Sequence, residues 1–107
     1  MLKPGVDIRG LHSQMVLAYS VACAVYARYG VSQCVITSAS DGKHGPNSLH
    51  YKGKALDLRT SNVPTAILHL VHRGLKDSLG AQFDVVLESD HIHVEFDPKE
   101  PDPPQEA

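Results

Sequence analysis

The sequence predicts an α+β domain: a small, mostly antiparallel sheet with helices packed on one face. Three observations lead there. Two segments repeat apolar residues at helical spacing. Four short segments are β-branched or alternate apolar with polar residues. The last two of these are separated only by Ser89-Asp90, which marks a hairpin. The order helix, strand, loop, strand, helix, hairpin belongs to the class in which helices gather on one side of an antiparallel sheet.

In residues 9–29, Leu11, Met15, Ala18, Ala22, Val25 and Tyr29 recur at three- and four-residue steps, the mark of an amphipathic helix, and Gly30 stops it. Residues 31–38, VSQCVITS, are short and β-branched and read as a strand. Residues 39–48 cluster Gly, Pro, Asn and Asp and form a loop, followed by a second strand over 54–59. Ser61 or Asn62 then caps a helix with Pro64 in its first turn, an apolar face of Ile67, Leu68, Val71, Leu75 and Leu79, and Gly80 at its end. QFDVVLE and HIHVEF supply the hairpin. The domain is expected to occupy residues 1–97, and the proline-rich residues 98–107, with no apolar anchor, read as a disordered tail.

Length and composition exclude several classes. At 107 residues with 42% apolar content, the chain has enough material for one core. A net charge of −2 without a Lys/Arg stripe argues against a nucleic-acid partner. Its apolar runs are short and broken, so no membrane span is expected, and the first ten residues lack the apolar stretch of a secretory leader. Cys23 and Cys34 are not spaced as a metal pair and read as small buried hydrophobes rather than a disulfide. Seven histidines in a chain this short are the first hint of metal or proton chemistry.

Strand alternation sorts those histidines. In HIHVEF, Ile92, Val94 and Phe96 point toward the helices, which leaves His91, His93 and Glu95 on the open face. In KALDLR, Leu56 and Leu58 take the core side, leaving Ala55, Asp57 and Arg59 on the other. If the two strands share a sheet, Asp57 and His93 project into one cleft, and His50 can reach it from the loop. Two histidines and a carboxylate are a common ligand set for catalytic zinc, which lowers the pKa of its bound water to about 7. Asp90 at the hairpin turn and Glu88 before it are both placed to act as general base, and spacing alone does not choose between them.

At these residues a family resemblance enters. SLHYKGKALDLR matches, position for position, the Ser-x-His-x-x-Gly-x-Ala-x-Asp-x-Arg motif of the M15-type zinc peptidases, and DHIHVE resembles their closing motif. These are D-Ala-D-Ala carboxypeptidases and phage L-alanyl-D-glutamate peptidases, which share a fold with the hedgehog signalling domain. The resemblance covers roughly residues 10–97. It implies Zn2+ held by His50, Asp57 and His93, Asp90 as general base, and His91 as a group that orients or stabilises the reacting carbonyl. It also implies amide hydrolysis in peptidoglycan peptides. Ser48 and Arg59 match positions that support the ligands. The arginine that many relatives carry after a Thr-Ser strand end is missing; Asp41 stands near that place, and Lys43 and Arg59 are the cations left to contact substrate. The expected partner is a peptidoglycan peptide and the expected state a monomer. Small size and the absent leader fit a phage-encoded protein that acts at the bacterial wall.

Plainer readings stand beside these. Asp57 can pair with Arg59 or Lys54 at the surface, Asp90 can serve only as a turn former, and His91 can be a merely exposed side chain. Glu95 reads as a residue at the edge of the cleft or one that pairs with a cation. His12, His69 and His72 read as solvated or structural, His44 as a groove residue or a loop side chain. The competing function is a zinc-binding module of the same fold that has lost catalysis and works as a binding or structural subunit.

Overall fold

The computed structural model describes residues 1–39 and 53–98. The predicted loop from residue 40 onward, with Lys43, His44, Ser48 and His50, and the predicted tail from residue 99 lie outside the described residues. Helix α1 spans Ser13–Arg28, β1 Ile36–Ser38 and β2 Ala55–Arg59. A 3₁₀ turn at Thr65–Ile67 leads into α2, Leu68–Leu79, and the hairpin is β3, Phe83–Leu87, with β4, His91–Phe96. The four strands form one antiparallel sheet in the order β1-β2-β4-β3. The α+β architecture expected from the element order is the one observed.

The core lies between the sheet and the two helices. Leu56 and Leu58 from β2, Ile92 and Val94 from β4, and Val85 from β3 meet Met15, Ala22, Val25 and Tyr26 of α1 and Val71 and Leu75 of α2. Each such aliphatic side chain contributes about 1.5–3 kcal/mol when fully buried. Alternation therefore sorts the strands as expected, with one exception: Ala55, assigned to the open face, is fully buried. Close approach of the helices is fitted at Gly74, where an added Cβ would lie 3.1 Å from Val25 Cγ1. The hairpin turn falls at Ser89-Asp90, with Glu88 N–H donating to the His91 carbonyl at 2.8 Å.

Three boundaries differ from expectation, each for a local reason. α1 begins at Ser13 rather than residue 9, because His12 is its N-cap and accepts the Gln14 N–H at Nδ1, 3.1 Å. The helix after Pro64 opens as a 3₁₀ turn without a side-chain cap, since Asn62 instead donates to the Gln33 carbonyl at 2.8 Å. The strand expected over 31–38 is regular only at Ile36–Ser38, where an irregularity in the register interrupts its pairing with β2.

The N-terminal segment was not expected to pair, yet it lies along the outer edge of β1. Leu2 bridges Ile36 in parallel, Lys3 N–H donates to the Ile36 carbonyl at 2.9 Å, and Ile36 N–H returns a bond to the Met1 carbonyl at 2.8 Å. The same segment meets β2 at Gly53, whose carbonyl accepts from His12 N–H at 2.7 Å. Gly53 has φ of +72°, and a Cβ there would fall 2.1 Å from the Gly10 carbonyl oxygen. Only glycine fits, because positive φ and backbone-to-backbone contact coincide. Gly53→Ala is expected to destabilise the domain by at least about 2 kcal/mol, a fall in Tm of roughly 10 °C. Thermal unfolding followed by circular dichroism checks it, and an unchanged Tm would refute the close approach.

Candidate metal centre

The open face of the sheet is organised by the β2–β4 register. Asp57 stands directly opposite His93, Arg59 opposite His91 and Ala55 opposite Glu95. Leu56↔Val94 and Leu58↔Ile92 alternate with them and face the core, so burial of four aliphatic side chains holds the polar pairs in place. Directly opposed residues have Cβ atoms about 4.5–5.5 Å apart, close enough for side chains to bond.

They do bond. His93 Nδ1 donates to Asp57 Oδ1 at 2.9 Å, and His93 Nε2 donates to Glu95 Oε1 at 2.7 Å. The hydrogen bond to Asp57 pushes His93 up to about 9; burial opposes the shift and the Glu95 carboxylate reinforces it. At neutral pH this imidazole is therefore a cation held between two carboxylates. Toward the hairpin turn, His91 Nδ1 donates to Asp90 Oδ1 at 2.6 Å and its Nε2 lies 3.8 Å from Asp57 Oδ1. Asp57, Arg59, Asp90 and His91 line a cleft of about 480 Å³.

Of the candidate site residues, the structure thus brings Asp57, His91 and His93 together, with Asp90 beside His91 and Arg59 on the cleft wall. His50, Ser48 and Lys43 lie outside the described residues. Glu95, read as a cleft-edge residue or the partner of a cation, pairs with the protonated His93 through its distal nitrogen. The period-two alternation that put it beside His93 was the available signal. His12 and His72 are structural: His12 caps α1 and stacks on Phe96 at 5.5 Å, and His72 Nε2 donates to the Val85 carbonyl at 2.9 Å.

The donor chemistry fits a metal. His93 Nδ1 and Asp57 Oδ1 converge on one point, and Glu95 takes the other ring N–H of His93, as carboxylates do behind metal-bound histidines. A metal would take the place of the proton now shared between Nδ1 and Asp57. A second feature lies on the same face: Asp84, Glu95 and Asp97 bring carboxylate oxygens within 4.8 Å of one another, close enough to hold a metal ion. An all-carboxylate set suits a hard cation such as Ca2+ better than zinc.

Because the folded value for His93 lies above the ordinary 6.5, its contribution is complete below pH 6.5 and is lost as pH rises through about 9. Chelator-treated protein is expected to lose about 2–3 kcal/mol of stability across that interval, and His93→Gln to lose the slope. Urea unfolding at a series of pH values measures it; a flat profile between these limits would refute the buried imidazolium. Metal loading displaces the same proton, so metal affinity is expected to rise about tenfold per pH unit from neutrality.

The profile of the Hedgehog amino-terminal signalling domain matches residues 13–96, from the start of α1 to the end of β4. This corrects the assignment to the M15-type peptidases. A match over nearly every described element discriminates where a dozen spaced residues do not, and the link to zinc peptidases is one of fold. The chain belongs to the Hedgehog amino-terminal signalling domain family.

Proposed function

We propose that this domain binds zinc through His50, Asp57 and His93 and hydrolyses an amide bond in peptidoglycan peptides. One observation carries the reading: Asp57 and His93 face each other on adjacent strands, backed by Glu95, and Asp57 lines a cleft together with Asp90 and His91. Zinc held there would supply an acidified water and polarise the scissile carbonyl. The protein's own groups do the rest. Asp90 Oδ1 is engaged by His91, and Oδ2 makes no hydrogen bond among the described residues. Oδ2 is the atom that accepts the water proton and returns it to the leaving amine. His91, fixed through Nδ1, directs Nε2 toward Asp57, where it stabilises the negative charge that develops on the carbonyl oxygen.

The second reading is a zinc-binding module without catalysis. Family membership favours it, and so does the 85% exposure of the Asp90 side chain, since a general base works best when shielded from bulk water.

Purified protein assayed for bound zinc and for new amino groups released from peptidoglycan separates the two. Hydrolysis predicts about one zinc per chain and release that falls about 10²–10⁴-fold in Asp90→Ala with zinc retained. His93→Ala and Asp57→Ala are expected to lose the metal. Zinc bound at full occupancy without amine release, in wild type and Asp90→Ala alike, would establish the module and end the hydrolase reading.

A further inference from the structure

The cleft beside Asp57 is lined by two cationic residues. Lys3 and Arg59 both line it, and among the described residues neither forms an ion pair. The carboxylates there are already matched: Asp57 accepts from His93 with His91 nearby, and Asp90 accepts from His91. Ser61 on the same lining offers a hydroxyl donor, while the Thr37 hydroxyl donates to the Asp57 carbonyl at 3.4 Å.

Both cations start from fixed backbone. Arg59 closes β2 with its N–H bonded to the Val35 carbonyl at 2.9 Å and its carbonyl receiving the Tyr26 hydroxyl at 2.9 Å. Lys3 is held by Ile36 through its N–H and by Val6, whose N–H donates to the Lys3 carbonyl at 3.1 Å. The N-terminal segment therefore acts as an added edge that brings a second cationic residue to the cleft lined by Arg59.

We propose that Lys3 and Arg59 form an anion subsite that receives the free C-terminal carboxylate of a peptide bound in this cleft. A guanidinium fork matches a carboxylate in two parallel hydrogen bonds, and an ammonium adds a point charge from a second direction. The cleft, about 480 Å³ in volume and open to solvent, has room for a short chain end. That the ligand is a peptide rests on the hydrolase reading; that it ends in a carboxylate rests on the two cations.

The test is a titration of the full, metal-free chain, followed by amide NMR, with N-acetyl-alanyl-alanine as free acid, the same dipeptide as its amide, and inorganic phosphate. The free acid is expected to bind about tenfold more tightly than the amide. Lys3→Met is expected to reduce that ratio to about threefold or less, and Lys3→Arg to preserve it, with unchanged spectra elsewhere reporting intact folds. Equal binding of acid and amide, an undiminished ratio in Lys3→Met, or no acid binding up to on the order of 50 mM would overturn the subsite. Phosphate binding more tightly than the acid would overturn it in favour of an inorganic anion. Acid selectivity in a chain that releases no amines from peptidoglycan would leave the subsite standing and remove the hydrolase; amine release without acid selectivity would do the reverse.

Discussion

The cross-strand pairing of Asp57 with His93 is the interaction on which the polar face depends, and the core enforces it. Side chains alternate along a strand, so moving β2 by one residue against β4 would exchange Leu56 and Leu58 for Asp57 and Arg59 in the core. Losing two fully buried leucines and burying a carboxylate costs several kcal/mol, comparable to the whole stability of a small domain. The ion pair itself does not need to be strong to be well placed. Its geometry is fixed by Leu56, Leu58, Ile92 and Val94 on the opposite side of the same two strands, which is how a site one residue wide is held rigid in a small protein.

That coupling explains which parts of the molecule were legible in the sequence. Alternation is local, so the faces of β2 and β4 could be assigned from KALDLR and HIHVEF alone, and with them the set Asp57, His91, His93. Pairing is not local. Nothing in Met1–Lys3 has strand periodicity, because its attachment to β1 uses backbone groups and leaves Leu2 largely exposed. The constraint on Gly53, contact with the Gly10 carbonyl, comes from a segment more than forty positions away. The family assignment failed for a related reason. Ligand spacing records how a fold delivers side chains to one point, and relatives that share the fold share that record whatever they do with it.

The site's charge balance places a further constraint on function. In the metal-free chain His93 is clamped between Asp57 and Glu95, so the ligand atoms are already converged and little side-chain entropy remains to be lost when a cation arrives. The same clamp means that any metal must compete with a proton held well above its ordinary affinity. Preorganisation and competition thus come from one pair of hydrogen bonds. The two readings of the domain share this centre and part company only at the hairpin turn. There Asp90 is either a base awaiting a substrate that shields it or a turn residue that steadies His91.

The two walls of the cleft are built to different tolerances, which bears on how one fold can serve unlike ligands. The Arg59 backbone is pinned at a strand end by bonds to Val35 and Tyr26, and Tyr26 is itself fully buried in α1, so the point from which this side chain departs is tied to the core. Lys3 sits on an added edge held by backbone bonds that are indifferent to side-chain identity, and replacing it changes the cleft while leaving the sheet intact. Position 59 thus lies within the sheet and against the core, whereas position 3 lies on an edge added by backbone bonds. A substitution at position 3 therefore alters the lining of the cleft without touching the Asp57–His93 register.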